Sequence, residues 1–338
     1  MVQAIDSPAA AAGSLKETYI NAYRWMLLAR VSEEKYASLY RGGKIHGSVF
    51  LGKGQEALSV SVAMHLRQGD IFAPLIRDQA GRLAFCETLL DSTRAYLGSR
   101  QGSMRGRDGN VHRGRPRDGY FAMISHLGAM IPAVAGALLA RRMKGIHGTV
   151  GVASIGDGGT STGAFHEGVN LAAVERLPMV IVVANNQYAY STPTHRQFVC
   201  NLEDKAAAYG IEGHSVDGTD LEACLKTLRK AVGRAREGFG PQIVIASLLR
   251  LAGHGEHDDA RYIDADLKRA SRDCLEVAEC ALLERHWSAP KQITAWRAEA
   301  ARQVEEAVSA VQQEPVPNPD EEDWCALSSR YLIDGFAC

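Results

Sequence analysis

Two short stretches carry residue types that could hold a charged ligand. Gly156-Asp157-Gly158-Gly159 sets a carboxylate among glycines, and Asn185-Asn186 follows Gly158 after an interval of 26 residues. A carboxylate and an amide oxygen are hard donors; beside phosphate oxygens they complete an oxygen-only shell of the kind Mg²⁺ takes. Glycines at the mouth of a following helix leave room for an anion near its unpaired backbone N–H groups, and permit unusual backbone angles. Each motif alone is a common turn signal; the interval between them gives them meaning as a pair.

That interval must be filled by elements that bring the two tips together. "TVGVASI" (149–155) and "MVIVVA" (179–184) read as apolar strands, with a helix from about Ser161 to Glu175 between them. Further strands are expected at "GDIFAP" (69–74), "IEGHSV" (211–216) and "PQIVIAS" (241–247), with helices near 202–209 and 220–237. Near-continuous apolar strands alternating with helices indicate an α/β fold, a mostly parallel sheet with helices on both faces. In such sheets ligands bind beyond the carboxyl ends of the strands, where Asp157 and Asn186 fall. Helical additions are expected at both ends: Leu15 to about Tyr40 and Gln55 to Leu66, then a helical extension from about residue 264 broken at Pro290 and at 314–320. Residues 1–15, rich in Ala, Ser and Pro, read as a flexible tail, and 16–338 as one domain.

Composition narrows the class. The 338 residues are 46% apolar, and 38 basic residues balance 39 acidic ones, so no overall field recruits nucleic acid or an anionic membrane. Seven scattered cysteines without a CxxC pair argue against a disulfide framework or structural zinc. With no leader pattern and no run of the roughly 18 apolar residues a membrane span needs, a soluble cytoplasmic protein is expected. Residues 101–120 carry five arginines and no apolar period, so a long functional loop is expected there. Without interleaved aromatics its arginines do not suit nucleic acid; solvation, a partner contact or steering of a phosphate or carboxylate remain open. The Ala133, Gly136, Ala137 and Ala140 face of a helix near 128–142 could admit another backbone closely.

GDG, 26 residues and NN is also the spacing of the thiamine diphosphate motif, and "TSTGAFHEGVNLAA" and "NNQYAYSTPT" resemble the α subunits of the decarboxylating component of 2-oxo acid dehydrogenase complexes (pyruvate, branched-chain and acetoin types). The resemblance runs, more thinly, from about residue 17 to 330. It implies thiamine diphosphate and Mg²⁺ as cofactors, with Asp157, the Asn186 side chain and the Tyr188 carbonyl as metal ligands. Gly156, Gly158 and Gly159 would line the diphosphate and Arg77 would reach it. Ser125 and Leu127 match positions that hold the aminopyrimidine, and Asn170 falls at a position used near the cofactor. Arg250 and His254 share the family's Arg-x-x-x-His spacing, His254 assisting acyl transfer beside the thiazolium, and His112 matches an active-site histidine. The chain departs from the family at Ile76, at His126 and at Gly255. Ile76 stands where an aromatic is usual. His126, with Ile124, Ala129 and Met130, replaces potassium-binding groups of the branched-chain type. Gly255 stands where mitochondrial members carry a phosphorylated serine, so neither potassium nor that phosphorylation is expected. A metal reading of His254, Glu256, His257, Asp258 and Asp259 is open but matches no zincin pattern.

The resemblance further implies a separate β subunit, in an α₂β₂ assembly, supplying a glutamate that activates the aminopyrimidine. It also implies a small 2-oxo acid as substrate and a lipoyl transacylase as acceptor of the acyl group. A two-subunit transketolase-like or acyloin-forming transferase with the same cofactor is the alternative.

Overall fold

A computed structural model describes residues 14–107 and 112–321; of the tail expected at 1–15, residues 1–13 lie outside the described residues, while Ser14 and Leu15 instead open a helix. Among the described residues there are seven strands, β1 (Ile71–Ala73), β2 (Gly151–Gly156), β3 (Met179–Asn185), β4 (Tyr188–Ala189), β5 (Thr192–Pro193), β6 (Glu212–Asp217) and β7 (Gln242–Ser247), with helices between all but β3, β4 and β5. Five of them form one wholly parallel sheet in the order β1-β2-β3-β7-β6, while β4 and β5 make a small antiparallel hairpin. The α/β expectation and all five predicted strands are therefore met within a residue or two.

Strand alternation divides the core. Met179, Ile181 and Val183 of β3 pack with Ile131, Val134 and Leu138 of α5 (Met130–Met143) and Phe165 and Val169 of α6 (Gly163–Val174). Val180 and Val182 face the other way, against Leu58 and Val62 of α2 (Glu56–Ala63) and Leu228 and Val232 of α8 (Leu221–Arg236). Both sheet faces are covered, as unbroken apolar strands require. A third apolar cluster joins α1 (Leu15–Arg41) to α10 (Cys274–Glu284) and α11 (Pro290–Val311), so the terminal helices dock on one another beside the sheet. Ser14 and Glu17 form a capping box at the start of α1, satisfying two backbone donors that would otherwise be unpaired. Pro290 opens α11 at its first turn, where its missing N–H is harmless; the break precedes it. No helix among the described residues is long and apolar enough to cross a membrane.

Two helices, α3 (Gln79–Phe85) and α4 (Leu89–Leu97), occupy a region without a visible period. The first is buried over Gln79–Ala84, so no amphipathic stripe announces it. It packs on α2 through Gly81, where a Cβ would lie 2.6 Å from the Ser59 carbonyl oxygen.

The arginine-rich loop is anchored rather than solvated in its second half. Arg113 is buried, and its guanidinium pairs with Glu87 and donates to Ser92 Oγ at 3.1 Å. Arg115 donates to the Cys86 carbonyl, and beyond it Phe121 N donates to the Phe72 carbonyl at 2.9 Å, laying the loop's end along the sheet edge at β1. Arg82 approaches the same Glu87 carboxylate at 3.5 Å. Burial alone would raise the Glu87 pKa, but Arg113 and Arg82 outweigh it and hold the carboxyl below its ordinary value. Glu87→Gln removes the carboxylate on which both cations converge and should cost about 3 kcal/mol of stability, read from chemical denaturation at neutral pH. Because the folded pKa is depressed, this stabilisation is present above the unfolded value and fades as pH falls through the folded one. The mutant's deficit should shrink in acid accordingly.

Candidate active site

Register places the two motif tips side by side. Gly156 of β2 pairs with Ala184 of β3, so Asp157, first residue after β2, and Asn186, first after β3, leave adjacent strand ends. The amide oxygen of Asn186 lies 3.0 Å from the Tyr188 carbonyl oxygen and 3.3 Å from Asp157 Oδ1. The amide nitrogen donates to Gln55 Oε1 at 3.2 Å. Three oxygens facing one another with no hydrogen between them repel. Without a cation, the amide gains by turning over and donating to the other two. A hard cation between them reverses that preference, and the donor set is the oxygen-only kind such an ion takes. Asp157 and Asn186 are both buried, and burial raises the Asp157 pKa despite a 2.8 Å hydrogen bond from Gln197 Nε2 to its Oδ2.

The glycines of the first tip work by closeness, not by unusual angles. Asp157–Ser161 forms a 3₁₀ turn ahead of α6, and none of Gly156, Gly158 and Gly159 has positive φ. A Cβ on Gly158 would sit 2.4 Å from Ala189 Cβ in the β4–β5 hairpin, and one on Gly159 2.6 Å from Ile155 Cγ1. Gly156 faces open space. The left-handed residues are in the second tip: Gln187 (φ 75°) and Tyr190 (φ 54°) turn the chain around Tyr188. Non-glycine residues hold such angles only where surrounding contacts impose them.

The tips floor a cavity of about 510 Å³ lined also by Arg77, Ser125, Leu127, Arg250 and His254. Arg77 is mostly buried, donates to the His254 carbonyl, leaves its Nε without a hydrogen bond, and forms no ion pair among the described residues. Burial, with Arg250 nearby, pushes its pKa down to about 10. A buried cation with no carboxylate in ion-pair contact among the described residues, beside a cavity, is an arrangement completed by an anion. Arg250 is fully buried and engaged with the chain itself, donating to the carbonyls of Ala252 (3.0 Å), Tyr188 (3.4 Å) and Tyr190 (2.8 Å) and to Tyr262 Oη (2.5 Å). It thereby braces the loop that presents the Tyr188 carbonyl. Away from these charges the wall is apolar, with Leu75, Ile76, Met123, Met130 and Ile131, and suits an uncharged ring.

His254 stands between aromatic rings, 5.4 Å from Phe50 and 4.2 Å from Tyr190 between centroids, and its Nδ1 has no hydrogen-bond partner. Burial first, then Arg77 and Arg250, lowers its pKa to about 4, so it is neutral at pH 7. An anion settling against those arginines cancels much of their field. The His254 imidazole should therefore titrate near 4 in the ligand-free chain and higher once a diphosphate binds, measured by NMR of its ring protons. The depressed folded pKa also means that stability present above about 6.5 declines as pH falls toward 4, because the unfolded chain takes up the proton first.

Ser125 and Leu127 lie on the open side, Leu127 being 53% exposed. His112 does not line the cavity, but its Nε2 is 3.0 Å from Ser125 Oγ. Asn170 is exposed on α6, away from the lining. The suggested acidic cluster around His254 does not gather as a metal site: Asp258 accepts from His254 N (2.6 Å) and Tyr262 Oη (2.5 Å), and Glu256 pairs with Arg41. A compact group at Glu56, Asp273 and Cys274 is filled by Arg30, which donates to both carboxylates. Sequence reasoning missed Gln55 and Phe50, which have no motif and reach the site from a distant segment, and Gln197, which follows the β4–β5 hairpin and donates to Asp157.

A parallel sheet whose neighbouring strand ends present converging oxygens under two buried guanidinium groups defines an α/β protein with a site suited to an anionic cofactor. The family model described as "Dehydrogenase E1 component" matches residues 23–320, and the chain belongs to that family. It is similar to the alpha subunit of acetoin:2,6-dichlorophenolindophenol oxidoreductase of Cupriavidus necator, 34% identical over 310 residues covering 90% of this chain and 93% of that one. It resembles the pyruvate dehydrogenase E1 component subunit alpha of Rhizobium meliloti at 31% over 311 residues (90% and 89%). To the 2-oxoisovalerate dehydrogenase subunit alpha of Bacillus subtilis it is 35% identical over 254 residues (74% and 76%). Membership makes the chain an oxidoreductase component of the α type and implies thiamine diphosphate and a β partner.

Proposed function

We propose that this chain is the cofactor-holding half of a thiamine diphosphate- and Mg²⁺-dependent 2-oxo acid dehydrogenase that acts on a small 2-oxo acid and passes the acyl group to a lipoyl transacylase. The observation that carries the reading is the convergence of Asp157, Asn186 and Tyr188 oxygens beside the uncompensated Arg77. Asp157 and the Asn186 side chain bind the magnesium ion together with the Tyr188 carbonyl. Gly156 leaves space for the diphosphate; Gly158 keeps the turn close to the β4–β5 hairpin and Gly159 keeps it close to Ile155 of β2; Arg77 neutralises the diphosphate charge. Thiamine diphosphate supplies, when bound, the carbanion that attacks a 2-oxo acid carbonyl and the electron sink for loss of CO₂. Ser125 and Leu127 border its aminopyrimidine at the open side of the cavity, with His112 orienting the Ser125 hydroxyl. His254, neutral at pH 7, holds or moves a proton at Nδ1, while Arg250 fixes the loop carrying Tyr188.

The wide opening at Ser125 and Leu127 supports completion of the site by the β subunit, which would bring the activating carboxylate. The test is co-expression with a β subunit and assay with pyruvate, branched-chain 2-oxo acids and acetoin, using an artificial electron acceptor. Reduction that requires both chains, thiamine diphosphate and magnesium is expected. Activity of this chain alone, or indifference to magnesium, would overturn the reading.

A further inference from the structure

Lys205, in α7 (Leu202–Ala208), does not line the cavity, yet it reaches the turn that forms part of its floor. Its Nζ donates to the Thr160 carbonyl at 3.0 Å and to Thr160 Oγ1 at 3.1 Å. Thr160 is fully buried, and its hydroxyl donates in turn to the Asp157 carbonyl at 2.7 Å. A hydroxyl has one proton, so its use on Asp157 leaves only acceptor capacity toward the lysine. The chain of bonds therefore has one direction, from Lys205 through Thr160 to the main chain of Asp157. The ammonium is held in place by two rings, 5.7 Å from the Phe165 centroid and 5.0 Å from that of Phe198. Among the described residues it forms no salt bridge.

A lysine on a surface usually contributes little, because its long stem loses entropy when fixed. Here two rings already stand against the ammonium, and what it grips is the turn that begins with Asp157 and contains Gly158 and Gly159. We infer that Lys205 is a positioning residue that locks the Asp157–Ser161 turn in the shape that receives the cation and the diphosphate, without touching either. This rests on the function proposed above for that turn. Partners behind a metal ligand fix its orientation, and their loss typically weakens metal binding by about 10- to 100-fold.

Lys205→Met keeps the length and apolar stem but removes the ammonium. In the assembled enzyme with its β subunit, the half-saturating concentrations of Mg²⁺ and thiamine diphosphate should rise roughly tenfold. The turnover number at saturation should stay within about threefold, the split expected when ligand positioning rather than chemistry is altered. Calorimetric titration of the same assembly with thiamine diphosphate at fixed magnesium should show the same weakening. Amide hydrogen exchange over residues 157–161 should speed up while that of α8 is unchanged. Lys205→Arg retains the cation over the rings and should restore most of the affinity. Thr160→Val breaks the same relay, so the double variant should lose little beyond either single one.

Unaltered metal and cofactor dependence in Lys205→Met, or additive losses in the double variant, would overturn the inference while leaving the proposed function intact. Absence of magnesium-dependent binding in the unmutated assembly would overturn both.

Discussion

Asp157→Ala should abolish magnesium-dependent binding of thiamine diphosphate, with a loss of at least about 100-fold, since residues merely supporting a metal ligand account for 10- to 100-fold. The expectation follows from placement. Asp157 is the only carboxylate among the three converging oxygens, is buried, and has its pKa raised by that burial. A charge so placed is disfavoured until a cation compensates it. Removing it leaves two neutral oxygens, a much weaker pair for a doubly charged ion. It should also relieve the empty chain of its desolvated acid, so the ligand-free variant should unfold at a temperature no lower than the parent. Isothermal titration of the αβ assembly with cofactor, with and without magnesium, measures the first effect, and a thermal melt of the isolated chain the second. Undiminished magnesium-dependent binding would remove Asp157 from the metal site.

Arg77→Met should weaken diphosphate binding by about 2–5 kcal/mol, the usual consequence of truncating one partner of a buried hydrogen-bonded charge pair. The loss should be selective. Thiamine diphosphate affinity should fall far more than that of unphosphorylated thiamine, because only the former presents the anion that Arg77 would oppose in the proposed site. Competition binding of the two compounds reads this directly. Arg77 forms no ion pair among the described residues and has a buried, unbonded Nε, so the ligand-free variant should gain stability. Equal loss for both thiamine forms would place Arg77 away from the diphosphate.

The strands were legible in the sequence because each is a short apolar run bounded by turn residues, and parallel sheets bury both faces of such runs. The juxtaposition of Asp157 and Asn186 was legible for the same reason: register within one sheet converts a chain interval into a distance. What escaped was anything decided by contacts across the chain. The helix α3 is buried all round and so lacks a stripe. Arg113 looked like one basic residue among five until Glu87 buried it. The glycines after Asp157 suggested freedom of angle, whereas they are needed because Ala189 and Ile155 stand too near for a side chain. The backbone angles that are unusual belong to Gln187 and Tyr190, residues whose types give no hint of it. Arg250 shares its spacing with His254, but only the structure places its guanidinium against the main chain.

The open side of the cavity presents Ile124, Leu127 and Tyr190 at 36%, 53% and 49% exposure. Greasy side chains gathered at an unfilled mouth attract one another as readily as they attract a proper mate. Copies of this polypeptide made without a β subunit should therefore self-associate more readily than the same chain in its assembly. Expressed alone, the chain should thus be a sticky preparation that co-expression with a β subunit renders tractable.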